Sequence, residues 1–355
     1  MAQPKVIRNS QTFQAAILRA ANGILEIGHV SSTQLQAGQV EVHLYFSGVC
    51  RSQLMEVNGQ RGKDRFSPHL LGHEGSGIVT NFGPGVSKVS KGQKVICGWV
   101  PGRGINAAPA IFFSGSERIN AGQVTTFSKR TVVSENRVYA KPIGLPLDQS
   151  VLFGCALLTG AGMVLNESAM KASDSVMVLG LGGVGMAAVI GALSLHPSQI
   201  IVADPSEEKR RLALDFGAST ALDPTDGRFL DEVRDLTGGG VDICYEAAGQ
   251  VATIELGFEA TKPKSGTLVF ASHPPSGERI SIDPHALISG RSIRGSWGGG
   301  SKPDQDIPRI WDAVQEMNID LGRLISNRYA LEDVNLALRD LESGSVMRPL
   351  LDMSL

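Results

Sequence analysis

One uncharged, glycine-rich stretch constrains the fold of this 355-residue chain more than any other feature. It reads SVMVLGLGGVGMAAVIGALSL over residues 175–195 and joins two apolar runs through a cluster of glycines. The run at 176–179 is typical of a strand that is buried on both faces of a parallel sheet. Residues 186–195 continue as an apolar helix. The stretch therefore predicts a strand that turns directly into a helix.

The glycines of this junction, Gly180, Gly182 and Gly185, have the spacing of a dinucleotide-binding turn. The first allows a tight turn, the second lets a pyrophosphate approach the backbone, and the third lets the helix pack against the strand. A second strand predicted at 200–203 ends at Asp204, where a carboxylate that binds an adenosine ribose is expected. The sequence therefore predicts an α/β unit that binds a dinucleotide.

Membranes and nucleic acids are not the expected partners. By length alone, the uncharged stretch could be a membrane helix, but its glycines cluster at one end and no basic flank orients it. A formal net charge of −2 argues against nucleic acid or an anionic membrane. The N-terminal segment lacks the apolar core of a signal peptide, which predicts a cytoplasmic protein.

The length predicts two domains, and 42% hydrophobic with 19% charged residues is ordinary for a soluble globular protein. Residues 14–141 contain short strands between turns, which indicates a β-rich, barrel-like unit. Within it, VEVHL at 40–44 alternates as a half-buried strand does, and 101–122 predicts an irregular lobe. The second half alternates helices with strands, as an α/β unit does. Helices are predicted at 150–166, 207–216, 228–237, 310–317 and 331–343, and strands at 241–245, 267–271 and 292–296.

A second constellation, in the β-rich part, combines two cysteines and a histidine. Cys50 follows a strand in GVCRSQL, His73 lies among glycines in LLGHEGSG, and Cys155 precedes a helix in FGCALLTG. These residue types suit a tetrahedral zinc with one open position, which is the pattern of a catalytic site. An isolated cysteine is more often a small buried hydrophobe, and that is the interpretation for Cys97 and Cys244. Four scattered cysteines are too few for a disulfide framework.

These motifs, in this order, resemble the zinc-dependent medium-chain alcohol dehydrogenases over essentially the full length. GHEGSGIVTNFGPGV at 72–86 is similar to the zinc signature of that family, and GVCRSQL, GCALLTGAG, VLGLGGVG, IIVADPSEEK and SGSVMRP resemble its other motifs. The resemblance implies a Rossmann domain with a doubly wound parallel sheet at 157–297. It also implies a β-rich, GroES-like catalytic domain formed by 1–156 and 298–355.

The resemblance further implies an enzyme that transfers a hydride between an alcohol, or its aldehyde or ketone, and NAD(H), in a homodimer or homotetramer. Ser52 would take the alcohol proton, and Glu74 would lie behind the metal. One catalytic zinc per chain would be held by Cys50, His73 and Cys155. The cofactor residues implied are Arg51 and Arg348 for the pyrophosphate, Thr159 for the nicotinamide, Asp204 and Lys209 for the adenosine ribose, and the turn Gly180, Gly182, Gly183, Val184 and Gly185. The implied substrate pocket contains Trp99, His273 and Trp297.

The chain departs from the family pattern in three places. Where relatives with a structural zinc carry four cysteines, residues 101–122 contain none, which predicts a single zinc. The apolar triplet at 111–113 is then expected to order this lobe by packing onto the catalytic domain or into a subunit interface. Gln53 replaces an Asp that usually supports the zinc histidine, so an uncharged amide would accept that hydrogen bond. Met55 replaces a histidine that ends the proton relay in some relatives.

Several polar residues keep two interpretations. His273 could contact a polar substrate or be a satisfied loop histidine, and Arg61, Lys63 and Arg65 could favour an anionic substrate or form a solvated cluster. Without the resemblance, Arg348 would be interpreted as a solvated surface charge. Two other functions also stay open: a zinc-independent enone or iminium reductase of the same fold, and a non-catalytic NAD-binding protein. The complete Cys and His set argues against both.

Overall fold

A computed structural model describes residues 8–355, so residues 1–7, on which the signal-peptide interpretation partly depends, lie outside the described residues. The chain forms two compact units. The first contains the residues up to Cys155 together with Lys302–Ile307 and Leu321–Leu355, and the second contains Ala156–Ser301 and Pro308–Asp320. No single helix among residues 8–355 is long and apolar enough to cross a membrane. The bent pair Leu147–Gly154 and Ala156–Leu165 is long and apolar enough only when its two helices are taken together.

The secondary-structure elements have the following bounds. The strands are β1 (Arg8–Leu18), β2 (Leu25–Thr33), β3 (Gln39–Gly48), β4 (His69–Leu70), β5 (Glu74–Phe82), β6 (Lys94–Gly98), β7 (Phe112–Ser114), β8 (Glu117–Ile119), β9 (Arg130–Ser134), β10 (Val138–Ala140), β11 (Ser175–Leu179), β12 (Gln199–Ala203), β13 (Thr220–Leu222), β14 (Ile243–Glu246), β15 (Thr267–Phe270), β16 (Ser292–Gly295), β17 (Arg328–Tyr329) and β18 (Leu350–Asp352). The α-helices are α1 (Arg51–Val57), α2 (Leu147–Ser150), α3 (Ala156–Leu165), α4 (Gly183–Leu193), α5 (Glu207–Phe216), α6 (Phe229–Thr237), α7 (Val251–Glu259), α8 (Pro284–Ile288), α9 (Pro303–Glu316) and α10 (Val334–Ser343).

The first unit is rich in strands, as the strand-and-turn pattern predicts, and these strands form two sheets. One sheet has the order β4-β1-β2-β7-β8, and the other has the order β10-β6-β5-β3-β18-β17, with β9 also paired to β3. Strand β3 is more deeply buried than its alternation predicts. Val40, Val42 and Leu44 face the core, but Glu41 on the opposite face is buried as well. Its carboxylate accepts a hydrogen bond from the Thr80 hydroxyl at 2.6 Å, which makes this burial tolerable.

The lobe at 101–122 is less irregular than predicted, because β7 and β8 form a short hairpin that extends the first sheet. Phe112 is fully buried, and its ring meets that of Phe13 edge-on at 6.0 Å between centroids. Ala110 and Ile119 belong to the same apolar cluster. The expected packing of the triplet onto the rest of its domain is thus observed for Phe112.

Two carboxylates fix the start of this lobe. Glu135, which is buried, accepts three backbone N–H hydrogen bonds of 2.6–2.7 Å, from Ser87, Lys88 and Ile105. Asp304 accepts the backbone N–H of Arg103 at 2.6 Å and pairs with the Lys88 ammonium at 2.7 Å. These bonds tie three segments that are distant in sequence to the beginning of the lobe.

The second unit has the predicted doubly wound sheet, and all its strand pairs are parallel. Its order is β13-β12-β11-β14-β15-β16, so the chain winds outward from β11 in one direction and then in the other. The uncharged stretch is not one helix, because β11 and α4 divide it. Helices α5 and α6 end at Gly217 and Gly238, as predicted.

The helix predicted at 150–166 is interrupted. Helix α2 is followed by a 3₁₀ turn at Val151–Gly154, and α3 begins only at Ala156. Cys155 lies at the break with non-helical dihedral angles, φ −148° and ψ −68°. The break frees its side chain from the surface of a continuous helix. Two other bounds differ: α9 begins earlier than predicted, and a 3₁₀ turn at Leu331–Asp333 precedes α10.

Candidate active site

The structure brings the three predicted metal ligands together in the first unit. Cys50 is the N-cap of α1, His73 directly precedes β5, and Cys155 lies at the helix break. Their ligand atoms all lie within 4.8 Å of one another. Gly72 has φ +89°, and a Cβ there would lie 2.5 Å from the Thr126 hydroxyl oxygen. Only glycine therefore lets the chain turn this closely in front of the histidine.

The donor set fits zinc. Two sulfurs and one imidazole are ligands that zinc prefers, and three protein ligands leave one position open. His73 Nε2 is buried and has no hydrogen-bond partner among the described residues, as expected for an atom that awaits a ligand. Among the same residues, Cys97 and Cys244 lie elsewhere, fully buried, in agreement with their interpretation as small hydrophobes. Burial raises the pKa of Cys97 to about 12.

The two site cysteines are hydrogen-bonded to each other, and the bond shifts the pKa values of their thiols in opposite directions. The hydrogen bond from Cys155, with help from the positive charge of Arg348, lowers the pKa of the Cys50 thiol well below its ordinary value. The same hydrogen bond, together with burial, raises the pKa of the Cys155 thiol. Zinc binds cysteine as the thiolate, so zinc binding at this site would release thiol protons.

Polar neighbours surround the other nitrogen of His73. Ser52 Oγ lies 3.3 Å from Nδ1, and the side-chain amide nitrogen of Gln53 is also hydrogen-bonded to Nδ1. The amide oxygen of Gln53 accepts the backbone N–H of Cys50 at 3.2 Å. Ser52 and Gln53, the second and third residues after Cys50, thus both contact the histidine. Met55, on the same helix, is buried.

Glu74 and Arg348 form a buried ion pair behind the three ligands. Glu74 is fully buried, Arg348 is 5% exposed, and Arg348 Nη2 donates to Glu74 Oε1. A Cβ at Gly48 would collide with that carboxylate, so the glycine makes room for it. Burial raises the pKa of Glu74, although the charge of Arg348 opposes the rise. The interpretation of Arg348 as a solvated surface charge was wrong.

The pairing itself was not predicted, and the pyrophosphate role of Arg348 stays a prediction. The residues are 274 positions apart, and neither motif carries a sign of the other. The only local signal was the run of glycines around Glu74, which indicates that something must approach closely.

In the second unit, each glycine of the turn has the geometry that its predicted role needs. Gly180 has φ +90°, and a Cβ on Gly185 would collide with the Gly180 carbonyl oxygen. A Cβ on Gly182 would meet no atom within 4 Å, so the turn is open to a ligand on that side. Gly183 and Val184 then begin α4, whose N-terminal N–H groups favour an anion. The turn fits the pyrophosphate of a dinucleotide.

Asp204 lies beside this turn and is buried. Its two carboxylate oxygens accept the backbone N–H groups of Leu181 at 2.8 Å and Ser206 at 2.9 Å. Ser206 is also the N-cap of α5, and its hydroxyl accepts the N–H of Lys209 at 3.4 Å. The acidic residue therefore orders both the glycine turn and the start of the next helix.

The other predicted residues are placed as follows. Arg51 is exposed at the first position of α1, and Thr159 is buried in α3. Trp99 of the first unit is half-buried, and Trp297 of the second is 77% exposed. His273 is exposed, and its Nδ1 lies 3.0 Å from the Pro274 carbonyl oxygen, as in a loop histidine. The substrate pocket stays a prediction.

Known proteins match this chain along most of its length. The alcohol dehydrogenase GroES-like domain model matches residues 36–143, and the zinc-binding dehydrogenase model matches residues 183–316. An S-(hydroxymethyl)glutathione dehydrogenase from Aspergillus oryzae is 29% identical over 96% of both chains. An alcohol dehydrogenase zinc-binding domain protein from Burkholderia ambifaria is 27% identical, with a TM-score of 0.88 over 97% of this chain and 99% of that one. Benzyl alcohol dehydrogenase from Acinetobacter calcoaceticus, 23% identical, has the same fold, with a TM-score of 0.86 over 96% and 99%.

A GroES-like β unit that gathers three metal-ligating side chains, followed by a doubly wound unit, defines the class of zinc-binding dehydrogenases. Within this class, the chain belongs to the zinc-dependent medium-chain alcohol dehydrogenase family, as its motifs predict. The protein is thus an oxidoreductase, an enzyme of the alcohol dehydrogenase type.

Proposed function

We propose that this enzyme is an NAD-dependent alcohol dehydrogenase with one catalytic zinc, held by Cys50, His73 and Cys155. The observation that supports the proposal most is the approach of their ligand atoms to within 4.8 Å, with His73 Nε2 lacking a partner among the described residues. When bound, zinc supplies Lewis acidity that lowers the pKa of an alcohol, and NAD accepts the hydride. The residues of the chain position the reactants and accept the proton of the alcohol.

Ser52 is the proposed acceptor of the alcohol proton. Its hydroxyl lies at the N-terminal end of α1, two residues after Cys50, and 3.3 Å from the His73 ring. A hydroxyl can accept a proton at Oγ while it donates its own, so it can relay without becoming charged. Met55, buried and without a titratable group, cannot continue the relay. Glu74, held by Arg348, contributes negative charge behind the ligands.

The dinucleotide is proposed to bind at the glycine turn of the second unit. The open side of Gly182 and the N-terminus of α4 receive the pyrophosphate. Asp204 keeps lone pairs for the adenosine ribose after accepting its two backbone bonds, and it favours NAD because a 2′-phosphate would meet a like charge. Lys209, Arg51 and Thr159 keep their predicted cofactor roles.

Domain roles, assembly and location are also part of the proposal. Residues 1–156 and 298–355 form the catalytic domain, and 157–297 form the dinucleotide-binding domain. A homodimer or homotetramer is supported by the sheet edge at β16, where most residues are exposed, and by Ile288, which is 83% exposed.

The proposed location is the cytoplasm, because the four free cysteines suit a reducing compartment. The substrate is a small-molecule alcohol or its carbonyl product.

The test is turnover of an alcohol panel, followed by nicotinamide absorbance, in the wild type, Cys155→Ala and Cys97→Ala. Removing one of three ligands should release most of the zinc and lower turnover by at least a hundredfold, because a charge stabilisation worth several kcal/mol is lost. Cys97→Ala removes a buried thiol of the same unit outside the site and should keep zinc and turnover. Near-normal turnover of metal-free Cys155→Ala would contradict the zinc mechanism.

The same panel separates the alternatives. Reduction of enones or iminium ions without any alcohol oxidation would favour the zinc-independent reductase. Binding of NAD without turnover of any substrate would favour a non-catalytic protein.

A further inference from the structure

Gln53 holds two of the proposed metal ligands with a single neutral amide. It is 2% exposed in the first turn of α1. Its Oε1 accepts the backbone N–H of Cys50 at 3.2 Å, and its Nε2 is hydrogen-bonded to His73 Nδ1. The first bond completes a capping box at the start of α1. The second bond determines where the histidine carries its proton.

An amide nitrogen only donates hydrogen bonds, so His73 Nδ1 must be the acceptor in this arrangement. A neutral imidazole that accepts at Nδ1 carries its hydrogen on Nε2. Nε2 is the buried atom that lacks a partner among the described residues, and a metal can bind it only when it is unprotonated. The amide as it stands therefore favours the tautomer of His73 that does not bind metal.

We propose that Gln53 is a positioning residue that sets the tautomer of His73. We further propose that metal binding requires the Gln53 side-chain amide to flip, so that its oxygen and nitrogen exchange places. This inference rests on the proposed function, because it takes His73 Nε2 as a zinc ligand. In the turned orientation, Oε1 accepts from Nδ1–H and the Nε2 lone pair becomes available. The amide NH₂ group then faces the Cys50 N–H, which is also a donor, so the capping bond is lost.

A carboxylate at this position has no such conflict. Its two oxygens accept the Cys50 N–H and the His73 Nδ1–H at the same time. Gln53→Glu preserves length and shape, and glutamate also completes a capping box. If Gln53 only capped the helix, this substitution would raise zinc affinity only through its added charge, and the tautomer of His73 would be the same with and without zinc. If Gln53 sets the tautomer, Gln53→Glu should bind zinc about 10- to 100-fold more tightly, the range observed when partners of metal ligands are changed.

The experiment is competition for zinc between the full-length protein and a chromogenic chelator. Gln39 offers a matched control, because it is also a buried amide that accepts a backbone N–H, from Gln36 at 2.9 Å, and donates, to the Ala108 carbonyl at 3.1 Å. Tighter binding in Gln53→Glu, with Gln39→Glu equal to the wild type, supports the inference. A folded Gln53→Glu variant that binds zinc no more tightly than the wild type overturns it.

A second measurement does not depend on either variant folding well. Nitrogen-15 NMR of histidine-labelled, zinc-free wild type at alkaline pH reports the tautomer of His73, with its signal assigned by loss in His73→Asn. Hydrogen on Nε2 without zinc and on Nδ1 with zinc supports the inference, and hydrogen on Nδ1 in both states overturns it. A wild type that binds no zinc contradicts the proposed function itself, which is a different outcome from zinc binding without a tautomer change.

Discussion

At the scale of single residues, the Asp204 carboxylate is hydrogen-bonded to the backbone and can still bind a ligand. Both oxygens accept backbone N–H groups, but each keeps a second lone pair. The nearby Arg210 donates to the Asp204 main-chain carbonyl at 2.6 Å and pairs with Asp223 at 3.2 Å. The guanidinium is thereby held by groups other than the Asp204 carboxylate. The negative charge of that carboxylate is what we propose determines the choice of cofactor.

We therefore expect steady-state efficiency with NAD to exceed that with NADP by at least about tenfold, or roughly 1.4 kcal/mol. Asp204→Ser should narrow the preference, because a 2′-phosphate would no longer face a carboxylate. Asp231→Asn, which changes an exposed carboxylate of α6, should leave it unchanged. Equal efficiency with both cofactors in the wild type would refute the role of Asp204.

Sequence reasoning at this scale succeeds where the physical cause is local. The spacing of Gly180, Gly182 and Gly185 predicts a turn, an open approach and a close contact, and all three are found. It fails where the cause is a partner far along the chain. An arginine such as Arg348 is usually interpreted from sequence as a solvated surface charge. Only the folded unit supplies the buried Glu74 that pairs with it.

At the scale of elements, the lobe at 101–122 is ordered by packing and carboxylates. Its hairpin places Phe112 in the apolar cluster of the first sheet, and Glu135 fixes its beginning. The sequence shows that cysteines are missing there, but the hairpin is too short to be read from periodicity. The break at Cys155 was missed for a related reason, since an apolar run favours a continuous helix until tertiary packing interrupts it.

Phe112→Ala should lower the free energy of unfolding by about 3–5 kcal/mol, because it leaves a cavity against Phe13. Phe66 offers the matched control, since its ring is 65% exposed, and Phe66→Ala should change stability by less than about 0.5 kcal/mol. Urea unfolding measures both. Equal effects would show that the apolar cluster does not order the lobe.

Glu135→Gln should lower stability at neutral pH by roughly 2–3 kcal/mol, because an amide cannot accept all three N–H groups. Burial alone would raise the pKa of Glu135, but these donors outweigh it and lower the pKa below the ordinary 4.5. The stabilisation is therefore fully present above about pH 4.5 and is lost as pH falls through the folded-state pKa.

The difference between Glu135→Gln and the wild type should thus shrink in acid, which urea unfolding across that pH range would show. Glu278→Gln, on an exposed loop, should show no difference at any pH. If the loss of unfolding free energy in Glu135→Gln were the same at every pH, the ionised Glu135 carboxylate would not be the source of the stabilisation.

At the scale of the whole molecule, a single zinc per chain is the proposal that would distinguish this protein from relatives with two zinc sites. Among the described residues, only Cys50, His73 and Cys155 form a cluster that could hold a metal ion. Between 101 and 122 there is no Cys or His, and Glu117 is paired with Arg19 at 2.5 Å. A structural site needs four ligands in fixed geometry, usually thiolates.

Elemental analysis of protein purified without added metal should therefore give close to one zinc per chain. Cys97→Ala should not change the ratio, whereas His73→Ala should bring it near zero. A ratio near two would defeat the single-site interpretation.

The ion pair between Glu74 and Arg348 also has a consequence for biosynthesis. The carboxylate lies at the start of β5, but its counter-charge is translated 274 residues later, next to the strand β18 that pairs with β3. A buried carboxylate without a cation is unfavourable or must be protonated, so we expect the final packing of the β unit to form only after Arg348 has been translated. Nascent chains should therefore complete the doubly wound unit first, and the metal-binding unit closes around its last strand only after translation has passed Arg348.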